Sequence, residues 1–80
     1  MGTRIAVKNR LIKLCEMHRM TINQLATISG VSPSTLKNIL YGRSENPGVV
    51  TIKKLCDGLG ITLGEFFSTP EFDALEQEIK

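Results

Sequence analysis

Within GVSPSTLKNILYG, residues 30–42, four polar side chains recur at helical spacing: Ser34, Lys37, Asn38 and Tyr41. They supply an alcohol, an ammonium, an amide and a phenol. This set donates and accepts hydrogen bonds, but it lacks the base-activated nucleophile, carboxylate pair or metal cluster that turnover needs. Recognition is the chemistry it suits. The only histidine, His18, has no identifiable catalytic partner, and Cys15 and Cys56 are too few and too far apart for a zinc site. Both cysteines fall in apolar helical stretches and read as small core residues. The chain is therefore not expected to be an enzyme, and no metal or cofactor is expected.

On a helix advancing about 100° per residue, the four polar residues fall within about 100° of one another, opposite Leu36, Ile39 and Leu40. One side would bury and the other would face out. A narrow face of small hydrogen-bonding groups, one cation and no acid fits a DNA major groove, which is about 12 Å wide. In that groove Asn38 is a candidate for the two-point contact to adenine N6 and N7. Lys37 is a candidate donor to guanine O6 or N7, or to a phosphate. Ser32, Pro33 and Ser34 lie at the N-terminal end of the helix, nearest the base edges. Thr35, Tyr41, Arg43 and Ser44 flank them and suit phosphate oxygens, which fix register without reading sequence. The implied partner is double-stranded DNA, read by a helix over 32–40.

Local signals predict that only helices position these groups. Val7, Leu11, Leu14 and His18 describe one face of a helix near 4–18. Thr21 with Gln24 and Thr62 with Glu65 have the form of capping boxes, while Ser32-Pro33 pairs a favoured N-cap with a favoured first residue. Further helices are expected near 21–28, 32–40, 49–58 and 62–68. Hydrophobic staples are expected between Met20 and Leu25, Val31 and Leu36, and Ile61 and Phe66. Only Ser29-Gly30-Val31 separates the second and third helices. Such a tight turn, with Gly30 suited to positive φ, implies a steep crossing of the helix-turn-helix kind.

Eighty residues make one domain. Nine of the ten Lys/Arg fall in residues 1–56 against two acids, while residues 57–80 carry six acids and Lys80. A net +7 half beside a −5 half suits a protein that presents one face to a polyanion. Neither a membrane-length apolar run nor a signal-peptide layout is present, so the expected compartment is the cytoplasm.

The stretch TINQLATISGVSPSTLKNILYGRSENPGVVTIKKLCDGLGITLGEFF resembles the Cro and lambda-repressor type helix-turn-helix, the xenobiotic-response-element family of bacterial and phage regulators. Matching positions include Leu25-Ala26, Gly30-Val31-Ser32, Leu36, Ile39, Gly42, Pro47, Thr51-Ile52, Leu59-Gly60 and Glu65-Phe66-Phe67. The resemblance implies an all-α, five-helix lambda-repressor-like domain over residues 1–68, binding operator DNA, usually as a two-fold homodimer. It implies neither a cofactor nor a small-molecule effector. Three positions depart from the pattern. Ile22 stands where many relatives use a glutamine to clamp a phosphate, leaving Thr21, Asn23, Gln24 or the first amides of that helix for the task. Cys15 and Leu40 replace an ion pair common in relatives, which predicts an apolar contact between them. Arg19 stands where glycine is common, and a left-handed conformation there would cost on the order of 1 kcal/mol.

The remaining segment, 69–80, carries Phe72, Leu75 and Ile79 at i, i+3 and i+7 among acids. It predicts an additional amphipathic helix near 70–79, covering its own domain or a dimer interface. The expected function is a sequence-specific transcriptional regulator, a small repressor. The alternative is a protein-interaction module such as an antitoxin or anti-repressor. A sensor using the two thiols is a third.

Overall fold

Four of the six helices among the described residues begin on a Ser or Thr whose side chain accepts a backbone N–H from the first turn. Thr21 Oγ1 takes Gln24 N at 3.1 Å, Ser32 Oγ takes Thr35 N at 3.2 Å, Thr62 Oγ1 takes Glu65 N at 3.0 Å and Thr69 Oγ1 takes Phe72 N at 3.4 Å. Gln24 and Glu65 reach back to the amides of Thr21 and Thr62, completing both expected capping boxes. These starts define α2 (Ile22–Ser29), α3 (Pro33–Tyr41), α5 (Leu63–Phe67) and α6 (Pro70–Asp73). The other two helices, α1 (Thr3–Met17) and α4 (Val49–Leu59), follow glycine N-caps without a side-chain cap. The structure, a computed structural model, describes residues 2–42 and 46–79, and no strand occurs among them.

Three of the joints between helices share one design. A left-handed residue closes one helix, an apolar residue follows, and a Ser or Thr then caps the next helix. The triplets are Arg19-Met20-Thr21, Gly30-Val31-Ser32 and Gly60-Ile61-Thr62. In each, paired backbone bonds return to the preceding helix. Met20 N donates to Cys15 O at 3.0 Å, Val31 N to Ala26 O at 3.1 Å and Ile61 N to Cys56 O at 3.0 Å. Gly30 and Gly60 adopt φ of 67° and 72° at no steric expense, but Arg19 adopts 53° with a Cβ, so the strain expected at that position is present. Met20, Val31 and Ile61, the three staple residues, all pack on or within the core.

One hydrophobic cluster unites α1 to α5. Leu11, Leu25, Leu36, Leu40, Leu55, Cys56 and Phe66 are fully buried, and no polar side chain among the described residues is. Cys15 and Leu40 both lie in this cluster, so the positions that hold an ion pair in relatives are apolar and buried here. The α2–α4 contact is close at Gly58. A Cβ placed there would come within 2.0 Å of Ser29 Oγ and 3.1 Å of Ser29 Cβ.

The C-terminal segment departs from expectation. The helix expected over 70–79 ends at Asp73 after one turn. Phe72 is held, packing against the core with its ring centroid 5.0 Å from Phe67 and 6.1 Å from Phe66. Ile79 is 85% exposed, so the far end of the stripe has no apolar surface to bury against. Extending the helix would also align Glu76 and Glu78 with its negative end. Instead Thr3 Oγ1 donates to Glu78 Oε2 at 2.7 Å, drawing the segment back to the start of α1.

Candidate nucleic-acid interface

Helix α3 meets the domain through Leu36, Ile39 and Leu40, which are at most 3% exposed. Its other side is open. Ser34, Lys37 and Asn38 are exposed, and Tyr41 is 68% exposed, so the four-residue strip identified from spacing is solvent-facing along the helix. Neither the Lys37 ammonium nor the Asn38 amide is engaged by another side chain among the described residues. Both are available to an external partner.

At the N-terminal end of the strip, Ser32 and Pro33 are exposed and open the helix. Ser32 is committed as a cap, however, and its Oγ also lies 2.8 Å from Thr35 Oγ1. The two hydroxyls form one unit, a link between a candidate base contact and a candidate phosphate contact that spacing did not reveal.

The candidates on α2 and at the end of α3 lie close together. Thr21 and Tyr41, from different helices, line one shallow groove of about 430 Å³, together with Arg19, Glu16 and an apolar floor that includes Cys15, Met20 and Ile22. The sequence did not mark Arg19 as part of this surface; the turn in which it takes positive φ also puts the residue on the wall of this groove. Thr21 Oγ1 and the Gln24 side chain are occupied by the capping box, which leaves the Thr21 hydroxyl proton free for an acceptor. Asn23 is exposed beside them on the first turn of α2. Arg43 and Ser44, the remaining phosphate candidates, lie outside the described residues.

Cys15 borders this same groove, while Cys56 does not. Both are free and buried, and burial pushes each thiol above its ordinary value of 9.0. Little thiolate is then present near neutral pH.

A short helix, a glycine turn and a second helix with a buried apolar side and an open polar side define a helix-turn-helix domain of the groove-reading kind. A family model of the Cro/C1-type HTH DNA-binding domain matches residues 10–71, and the chain belongs to that family. It is 44% identical over 52 residues to the HTH-type transcriptional repressor RghR of Bacillus subtilis (strain 168), covering 65% of this chain and 38% of RghR. It is 41% identical over 46 residues to the uncharacterized HTH-type transcriptional regulator RghRB of the same organism, covering 58% of this chain and 33% of the relative. The matched region is thus under two fifths of the length of either relative. Among solved structures, the crystal structure of the prophage Lp1 protein 11 superimposes with a TM-score of 0.82 at 36% identity, covering 94% of this chain and 100% of that one. The all-helical fold expected from the sequence agrees with that neighbour. No helix among the described residues is long and apolar enough to cross a membrane.

Proposed function

We propose that this chain binds operator DNA in a sequence-specific way and regulates transcription, acting as a repressor of the kind named among its relatives. The observation that carries the proposal is the unobstructed strip Ser34, Lys37, Asn38 and Tyr41, held on a helix whose opposite side is locked into the core. Ser34, Lys37 and Asn38 would face base edges. Thr21, Asn23, Tyr41 and Arg43 would face phosphates of the same half-site, with Arg19 added beside Tyr41. One nine-residue helix covers a single half-site, so the operator-binding form is a homodimer on two half-sites about one helical turn apart.

Selection of bound sites from random duplexes, followed by titration at several salt concentrations, tests this. Enrichment of a two-fold site and steep weakening with salt are expected, because phosphate contacts release counterions. Asn38→Ala should relax the selected site and cost about 1–3 kcal/mol on cognate DNA, whereas Arg43→Ala should weaken all DNA nearly equally. Affinity for a protein partner that ignores salt, with no site enriched, would favour an antitoxin-like or anti-repressor role. The thiol-sensor alternative has no support from the buried, weakly ionised Cys15 and Cys56.

A further inference from the structure

We infer that the acidic segment 74–79 is a built-in competitor for the DNA backbone, latched by Thr3 over the positive ends of α1 and α4. The inference rests on the DNA-binding role proposed above. It starts from two helix ends that local sequence leaves unfinished. The two longest helices among the described residues, α1 and α4, have glycine N-caps, no side-chain cap and no acid in the first turn. Their free amides and aligned peptide dipoles therefore keep a positive potential that attracts anions. Both ends open onto one cavity of about 800 Å³, whose walls include Gly2 and Thr3 at the start of α1 and Gly48 and Val49 at the start of α4. Arg4 lines it too, and its Nε is shut from solvent without a hydrogen-bond partner.

The anion brought to this cavity comes from 75 residues along the chain. Thr3 Oγ1 donates to Glu78 Oε2 at 2.7 Å, and Glu78 is the one carboxylate among the described residues that line the cavity. A phosphate oxygen is drawn to the same place for the same reason. The wall also includes Asn46 and Pro47, which lie within four residues of the phosphate candidates Arg43 and Ser44 in sequence. Four residues span at most about 14 Å, so a DNA backbone engaged by Arg43 passes close to the cavity. The segment itself is held firmly at one end and lightly at the other. Phe72 packs against the core and Leu75 is half-buried, whereas residues 76–79 are exposed, Ile79 by 85%. Beyond Leu75 the chain can lift without uncovering any of its own buried side chains. It forms a two-state strap, either closed with Glu78 screening the cavity or lifted with the cavity open to phosphate. A hydrogen bond of ordinary net strength keeps the closed form in about a fivefold majority, which weakens DNA binding by about the same factor.

The test measures the affinity of the full chain for a selected site and for random duplex, as wild type, Thr3→Val, Glu78→Gln and Glu76→Gln. Valine keeps the shape of threonine and the net charge of the protein, so Thr3→Val releases the latch without altering the overall attraction to DNA. Thermal unfolding checks that each variant folds. Thr3→Val and Glu78→Gln should each bind both duplexes about three- to fivefold tighter, with the selected site unchanged. Glu76→Gln removes the same charge from a residue outside the cavity wall and should gain less than about twofold, because exposed charges are screened by salt. Equal gains for Glu76→Gln and Glu78→Gln, with Thr3→Val binding as the wild type does, would reduce the segment to diffuse charge and overturn the inference. A wild type that binds no duplex would instead remove the DNA-binding role itself, a result visible before any variant is compared.

Discussion

Gly58→Ala should destabilise this protein even though alanine ordinarily strengthens a helix. Inside a helix the exchange gains about 1 kcal/mol. At Gly58 the new Cβ would fall 2.0 Å from Ser29 Oγ, 3.1 Å from Ser29 Cβ and 3.3 Å from Ile28 Cγ1. Overpacking of this kind costs about 1–3 kcal/mol. With a clash of about 2 kcal/mol, the net loss is about 1 kcal/mol, which would lower the midpoint of thermal unfolding by about 4–8 °C in a domain of this size. The obstructing atom is also a buried hydroxyl without a hydrogen-bond partner, so Ser29→Ala alone should stabilise by about 1 kcal/mol. In that background the 2.0 Å contact disappears, and only contacts of 3.1 and 3.3 Å remain, which small shifts relieve. Gly58→Ala should then be neutral or stabilising. Urea unfolding of the wild type, both single variants and the double variant completes the cycle, with a coupling of about 1 kcal/mol or more expected between touching residues. Additive effects, or Gly58→Ala stabilising equally in both backgrounds, would refute the Ser29 hydroxyl as the obstruction, because that oxygen would then have turned aside about its Cα–Cβ bond.

Arg19→Gly should stabilise the fold by about 1 kcal/mol in denaturant unfolding, since it removes a Cβ from a left-handed position, and it should at the same time weaken DNA binding on all sequences by removing a cation from the groove beside Tyr41. Arg10 donates from Nε to Phe66 O at 2.8 Å and from Nη2 to Glu65 O at 2.9 Å; Arg10→Ala should lower stability by about 2 kcal/mol, with amide exchange fastest in α5, and Arg10→Lys should recover only part of it. The raised thiols of Cys15 and Cys56 stay neutral in the fold above the pH where an unfolded chain ionises them. Their contribution is therefore complete below pH about 9 and lost as pH rises through the folded values. Equilibrium unfolding between pH 8 and 10.5 should show this decline, and Cys56→Ala should flatten it.

Features whose partners lie within a few residues were legible in the sequence. Thr21 with Gln24 and Thr62 with Glu65 announce capping boxes because both partners of each bond sit three residues apart, and Ser32-Pro33 marks a helix start as locally. The strip on α3 was legible because Leu36, Ile39 and Leu40 fix which side is inward. Contacts between distant positions left no such trace. Arg10 reaches carbonyls more than fifty residues away. Gly58 matters only because Ser29 lies against it. The length of α6 was misjudged because periodicity at Phe72, Leu75 and Ile79 says nothing about whether a surface exists to receive Ile79. At the interface, spacing put Ser32 and Thr35 in separate roles, and only the fold shows their hydroxyls within hydrogen-bonding distance.

The triplet joints have a consequence for how the domain would approach its target. Val31 seals the end of one rod and anchors the start of the next, so the pitch of α3 is settled during folding and leaves no slack for adjustment on contact. A single residue inserted within α3 after Leu36 would turn the rest of that helix by about 100° against its buried side, swinging Asn38 away from the front. Encounter should thus resemble a key meeting a lock, and any accommodation would fall to the duplex, whose bendability then becomes part of what distinguishes one operator from another.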